Sequence, residues 1–345
     1  MKKLLFTSLL VLIGFSAKSQ TTVNGGETVL IYSLPKTVFN IEIETEKTIQ
    51  KPGAYFRYSE RYLATNKVFT EEKTSYKLKS FRVSTTAIAD ANRTYTFVPS
   101  ALLQNSHLAV NSQGILCGVN TVPDRVISLF QNQNPDYVLR ETPKQDALLP
   151  LGEEYMLAGS EAKLAEGVAK QIYRIRESRL GLLTADVEKL PADGESLKTM
   201  LDGLNKMEKE LTELFIGKTT TETQRQTITL TPSMGINNQV LFRLSSFKGI
   251  VGAEDLSGTP YFINIVPAKA ENLQVDPKAK SEKAALYYVA PVSAHVSIGD
   301  GINTLYANDF SIPQFGKVFS LPESFFKQHV KIRIDPQTGR LLSIE

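Results

Sequence analysis

Periodicity changes character twice along this chain, and that change limits the fold more than any other feature. From Thr28 to about Asn120 apolar and polar residues alternate, as in Thr37-Val-Phe-Asn-Ile-Glu-Ile-Glu-Thr and Tyr76-Lys-Leu-Lys-Ser-Phe-Arg-Val. A period of two turns one face of an extended chain inward, so these stretches predict half-exposed antiparallel strands. Between Ser160 and Gly217 the apolar residues recur at spacings of three and four instead. From Glu222 to Glu345 the alternation returns, as in Thr227-Ile-Thr-Leu-Thr and Val240-Leu-Phe-Arg-Leu. The expected fold class is α+β: two related antiparallel β-rich domains, 20–122 and 218–345, separated by a long two-helix antiparallel hairpin at 160–217. Residues 123–159, with several Pro, Asn and Gln and no clear period, are expected to form an irregular connection.

The helical zone carries its own punctuation. Ser160 can cap a first helix reaching about Leu183, with Glu161 in its first turn. Pro191 and Gly194 break the chain, and Asp193 or a near neighbour starts a second helix that ends near Gly217. In that second helix Leu197, Met200, Leu204, Met207, Leu211 and Leu214 form a coiled-coil-like seam. The first helix answers with Ala165, Val168, Ile172, Ile175 and Leu182, interrupted by Arg179, for which Glu208 and Glu210 are candidate partners. A seam of this size cannot offset the ordering of both helices. The hairpin is therefore expected to pack on the β units or on a partner.

An internal echo links the two β zones. Phe97-Val-Pro-Ser precedes Leu108-Ala-Val-Asn-Ser-Gln-Gly-Ile-Leu-Cys-Gly-Val. Phe319-Ser-Leu-Pro precedes Ile332-Arg-Ile-Asp-Pro-Gln-Thr-Gly-Arg-Leu-Leu-Ser-Ile. Both run from a proline to a strand, an Asn or Asp turn with Gly114 or Gly339, and a returning strand. Duplication of one β unit is the expectation.

The first residues read as an export signal. Met1-Lys2-Lys3 is a basic start, Leu4 to Phe15 an apolar run, and Ala17-Lys18-Ser19 a cleavage site before Gln20. The apolar run is short for a membrane span, which takes roughly 20 residues. No later stretch is apolar enough to span, so the expected location is the periplasm or the outer-membrane periphery. Lys2, Lys3 and Lys18 leave with residues 1–19, so the net charge of +3 becomes 3 − 3 = 0. Nothing in the sequence resembles the concentrated basic face of a nucleic-acid binder. The single cysteine, Cys117, cannot form an internal disulfide, and its alternating apolar context suits a small buried side chain.

Motifs for chemistry are sparse. The three histidines, His107, His295 and His329, form no metal-binding spacing. No cofactor-binding motif occurs, and no cofactor or metal is expected. Ser160-Glu-Ala-Lys163 and Ser324-Phe-Phe-Lys327 match S-x-x-K, but the companion S-D-N and K-T-G elements are missing. Ser160 reads as a helix cap. Two clusters stand out for recognition. Tyr173, Arg174, Arg176 and Arg179 on the first helix are candidate partner contacts, because Arg and Tyr are overrepresented at interface hot spots. Tyr55, Tyr58 and Tyr62, interleaved with Arg57 and Arg61, are candidate ligand contacts.

Three segments stand out: Ala158-Gly-Ser-Glu-Ala-Lys through Gln171-Ile-Tyr-Arg-Ile-Arg-Glu-Ser-Arg-Leu, Leu190-Pro-Ala-Asp-Gly-Glu-Ser-Leu, and Glu210-Leu-Thr-Glu-Leu-Phe-Ile-Gly-Lys. With them the chain resembles domain of unknown function family 4831, a group of exported Bacteroidota proteins. Tyr32-Ser-Leu-Pro-Lys-Thr, Glu46-Lys-Thr-Ile-Gln-Lys-Pro-Gly and Ser59-Glu-Arg-Tyr-Leu extend it. The resemblance implies an envelope location and transfers no catalytic or binding residue. The expected function is a non-catalytic envelope protein that binds a protein partner or acts as a scaffold. A glycan- or peptide-binding module is the alternative, and a hydrolase with a site assembled from distant residues is the third reading.

Overall fold

Strand β2 (Glu27–Lys51) changes the face it buries part-way along, and much of the architecture follows from that switch. Tyr32 and Leu34 are buried on one phase of the alternation, whereas Thr37, Phe39, Ile41, Ile43 and Thr45 are buried on the other. Because the side-chain period of a strand is two, slipping the phase by one residue turns the opposite face inward. One strand thereby lines two cores. The computed structural model describes residues 22–24, 27–97, 108–121, 159–184, 186, 193–268, 285–322 and 330–345. The export segment at 1–19, nearly all of the connection at 123–159, and Ser324–Lys327 lie outside those residues.

The elements form three sheets and a helical pair. β1 (Thr22–Asn24), β2, β3 (Lys73–Phe97) and β6 (Lys218–Leu230) make the first sheet, with β6 paired to β2. β7 (Ile236–Ser245), β8 (Gly249–Val251), β9 (Thr259–Pro267), β10 (Ala285–Gly299) and β11 (Thr304–Pro322) make the second, in the order β11-β10-β9-β7-β8. β4 (Leu108–Val110), β5 (Leu116–Val119), β12 (Ile332–Ile334) and β13 (Leu341–Ile344) make the third, in the order β13-β12-β5-β4. All strand pairings within the sheets are antiparallel. Helix α1 (Ser59–Leu63) is short, whereas α2 (Glu161–Thr184) and α3 (Gly194–Ile216) are the helical pair. The α+β class and the hairpin agree with the periodicity.

The two β zones do not form separate sheets. β6, from the second zone, pairs with β2 of the first, and β5 pairs with β12 across the zones. The expected boundaries at 122 and 218 are therefore not boundaries between sheets. Alternation in a sequence fixes which face a strand buries, but not which strand it pairs with.

The first core gathers Tyr32, Leu34, Phe97, Leu116, Leu286, Val289 and Ile332 from all three sheets. The second lies between the two larger sheets, where Phe39, Ile41 and Ile43 meet Phe242, Ile263, Val296 and Ile298. Tyr32 keeps its phenol in the first core by accepting a 2.7 Å hydrogen bond from the Tyr287 backbone N–H. Burial pushes that phenol well above the usual tyrosine range, so it stays neutral. Cys117 is buried, as its context suggested, and its thiol donates to the Ile115 carbonyl oxygen at 3.5 Å.

Two long strand pairs, β2–β3 and β10–β11, share an unusual irregularity. Ser33 faces Thr94 and Pro35 faces Ala89, so Leu34 stands opposite Asp90, Ala91, Asn92 and Arg93. Ala290 faces Lys317 and Val292 faces Ile312, so Pro291 stands opposite Pro313, Gln314, Phe315 and Gly316. The two bulges lock together. The Arg93 guanidinium donates to the carbonyl oxygens of Pro313 (2.8 Å) and Gln314 (2.7 Å), and its Nε lies 3.5 Å from the buried Asp90 carboxylate. Gln314 in turn accepts from the Thr37 N–H at 2.9 Å and donates back to the Thr37 carbonyl at 2.9 Å.

Each long pair is also tied to one of the short hairpins whose sequences echo each other. The Ser33 N–H donates to the Gly114 carbonyl at 2.9 Å, and the Val289 N–H donates to the Gly339 carbonyl at the same distance. The side chains of Asn111 and Asp335 cap the two turns, accepting from the Gln113 and Gln337 N–H groups respectively. Tyr32-Ser-Leu-Pro35 thus corresponds to Tyr288-Val-Ala-Pro291, and Ile115-Leu116 corresponds to Arg340-Leu341.

Candidate functional site

The helical pair stands at the end of a three-stranded arm. β2 finishes at Lys51 directly opposite Lys218, the first residue of β6, and α3 runs into β6 through Gly217. The last carbonyls of a helix lack intrahelical donors, and here the β2–β3 connection supplies them. The Tyr55 N–H donates to the Leu214 carbonyl at 2.7 Å and the Phe69 N–H to the Ile216 carbonyl at 3.0 Å. That approach leaves no room for a side chain at Gly53, where a Cβ would lie 2.3 Å from the Leu214 oxygen. Gly217 combines a positive φ of 91° with an equally close approach to the Lys51 carbonyl.

All three tyrosines expected to contact a ligand are built into this seat. Tyr55 is buried with Phe215, at 5.8 Å between ring centroids. Tyr58 and Tyr62 are half-buried against the same cluster, and the Tyr62 hydroxyl donates to the Ala162 carbonyl at 3.3 Å. The mix of rings and arginines that suggested a ligand face is also what a short helix needs to cover a helical pair.

The seam of α2 matches its periodicity, with Ala165, Val168, Ile172, Ile175 and Leu182 all buried. The seam of α3 departs from it. Only Leu211 and Phe215 are buried; Leu197, Leu204, Met207 and Leu214 are half-buried and Met200 is exposed. The reason is ionic. Midway along the pair, Arg176 donates to Glu208 at 2.7 Å, Arg179 bonds the same carboxylate, and Arg179 also donates to Asn205 at 3.0 Å. Polar groups fill the interface there, so the apolar seam is tight only at the base. Both helix starts are capped as expected, by Ser160 on the Lys163 N–H and by Asp193 on the Ser196 N–H.

The four residues expected to contact a partner separate in space. Arg176 and Arg179 turn to Glu208. Tyr173 is exposed, with its hydroxyl donating to the Tyr62 carbonyl at 2.8 Å and the Arg176 guanidinium 5.6 Å from its ring centroid. Arg174 is exposed and has no partner among the described residues. The periodicity does not single out Leu180 and Leu183 and places Met200 in the seam, yet their exposures are 61%, 64% and 48%. Tyr173, Arg176, Leu180 and Leu183 follow one another at spacings of three, four and three, a single stripe on the outer side of α2. The signal was present, but the stronger buried seam through Ile172, Ile175 and Leu182 hid it.

Over residues 28–342 the chain matches the family described as Domain of unknown function (DUF4831). The chain belongs to this family. No curated protein and no solved structure matches it. Elsewhere among the described residues of this DUF4831 protein, a histidine meets a carboxylate on β10 and β11. His295 Nδ1 lies 2.7 Å from Asp309 Oδ1, and two rungs along the ladder Ser293 pairs with Ser311. The histidine and aspartate side chains are 55% and 69% exposed, so water competes directly for their hydrogen bond. Among the described residues, no group of three or more His, Cys, Asp or Glu is placed to hold a metal ion. Nor is any helix among them long and apolar enough to cross a membrane.

Proposed function

We propose that this DUF4831 protein is an exported, non-catalytic component of the cell envelope that binds another protein through its helical hairpin. The observation that carries the reading is the stripe Tyr173, Arg176, Leu180 and Leu183, in which Tyr173, Leu180 and Leu183 stay exposed although Tyr173 bonds Tyr62 and Arg176 bonds Glu208, with Met200 also exposed on α3. Isolated exposed leucines are ordinary, but large apolar side chains repeated at helical spacing call for a covering surface. A stripe spaced three, four and three fits a second helix, so the partner is a protein presenting an amphipathic helix. The seat at the base supports this role, because it fixes the hairpin through backbone hydrogen bonds while Leu180 and Leu183 stay exposed beyond it. The basic start and apolar run at residues 1–15 support export, with the periplasm or the outer-membrane periphery as the working location. The matched bulges, turn glycines and Tyr-x-x-Pro segments support descent of the two β units from one duplicated ancestor.

The combined variant Leu180→Ser, Leu183→Ser, Met200→Ser tests the reading. Surface substitutions of this kind change stability by about 0.5 kcal/mol or less each. The denaturation midpoint of the purified protein should therefore move little, while the complex recovered from native envelopes is lost. A complex that survives the triple change would remove the stripe from the account.

A further inference from the structure

The internal correspondence between the two β units exposes one place where they have diverged, and that place is a cleft. In the first unit Tyr32, Leu34 and Ile115 are all buried, where the Ser33 N–H ties the long strand to the short hairpin. In the second unit the corresponding residues are Tyr288, Ala290 and Arg340. Leucine is replaced by a smaller side chain and a buried isoleucine by a cation, and an open cleft of about 540 Å³ lies there. Its walls are Tyr288, Ala290 and Pro291, and its polar groups are Ser293, Ser311 and Arg340. Arg340 is exposed, and its guanidinium has no partner among the described residues. A surface arginine alone would mean little. Here it lines a concavity whose corresponding residues in the other unit are buried and apolar, beside two hydroxyls on one rung of β10 and β11.

We propose that this cleft binds a small organic ligand through a carboxylate group. A guanidinium presents two parallel donors that match a carboxylate, and the serine hydroxyls can donate to its oxygens or to neighbouring groups. One cation suits a singly charged carboxylate; a dianionic phosphate would ask for more positive charge than the lining residues supply. The tyrosine ring and Pro291 offer an apolar wall for the body of the ligand. The volume accepts something of monosaccharide or dipeptide size, so the carboxylate belongs to a sugar acid or to a peptide C-terminus. This site is separate from the helical hairpin and does not depend on its function.

The test uses the purified mature protein and two acid probes, galacturonic acid and acetyl-alanyl-alanine, each beside its uncharged counterpart, galactose or the peptide amide. Binding is read by isothermal titration or by chemical-shift changes. The proposal expects at least one acid to bind and its neutral counterpart not to, with affinity falling about tenfold or more in Arg340→Gln. Arg82→Gln, on the other large sheet, should leave the affinity unchanged. Which acid binds identifies the source of the carboxylate. The proposal is overturned if neither acid binds at millimolar concentration, if neutral and acidic probes bind alike, or if Arg340→Gln binds as the parent does. Because Arg340 is exposed, the variant should keep the parent's circular dichroism spectrum, so lost binding cannot be ascribed to unfolding.

Discussion

Replacing Gly53 by alanine should detach the helical hairpin from its seat while leaving the β-sheets folded. A Cβ at this position would lie 2.3 Å from the Leu214 carbonyl oxygen and 2.7 Å from that of Glu213. Both oxygens belong to helix backbone and cannot rotate away as a flexible side chain would. Relief requires moving the end of α3, which breaks the Tyr55–Leu214 hydrogen bond and separates Tyr55 from Phe215. Forced overpacking costs about 1–3 kcal/mol and sometimes more, and a stranded helix terminus adds to it. Hydrogen exchange offers a local readout. The Tyr55 and Phe69 amides should exchange about a hundredfold faster in the variant, since each 1.4 kcal/mol is tenfold. Amides of β2 around Ile41 should keep their protection. Unchanged exchange at Tyr55 and Phe69 would mean that the seat is not closed by this approach.

The second large effect is expected at Arg93. Its guanidinium bridges the bulge of β3 to the bulge of β11, and it is the cation beside the buried carboxylate of Asp90. Arg93→Ala leaves that carboxylate without its cation and two carbonyls without their donor. Removing one partner of a buried pair costs about 3–5 kcal/mol, mostly from the charge left behind. The expected loss of global stability is about 3 kcal/mol, taken toward the lower end because Arg93 itself is partly exposed. The companion variant Asp90→Asn distinguishes the cause. If the stranded charge dominates, Arg93→Ala combined with Asp90→Asn should be less destabilised than Arg93→Ala alone, as read from urea midpoints. If the double variant is worse than either single one, the bridging hydrogen bonds to β11 matter more than the charge.

How far the sequence carried this description depends on which interactions are local. The hairpin was legible because its caps, its breakers and the α2 seam lie within a few turns of one another. Ser160, Asp193 and Gly217 each act on groups three or four residues away. The length of the main strands was not legible. β2 runs for 25 residues through Pro35, and β3 runs for 25 residues through Asp90-Ala-Asn-Arg93, a segment that reads as a turn. Only pairing with β2 shows that those residues form a bulge. The interleaving of the two β zones was equally hidden, because the partner of a strand depends on contacts as remote as Phe39 with Leu230. At the candidate site, the arginine-rich stretch was recognised, but half of it is used internally at Glu208. The exposed leucines become visible only once the buried side of α2 is known.

Whether the hairpin binds a protein partner is read by site-specific photocrosslinking in native cells, with the probe at Leu183 and, as a control, at Thr221 on the exposed strand β6. One discrete crosslinked protein is expected from Leu183, crosslinked through a segment with the spacing of an amphipathic helix, and none from Thr221. If a folded and abundant protein gives no product from Leu183, or the same products from both positions, the hairpin is not a specific protein-binding surface.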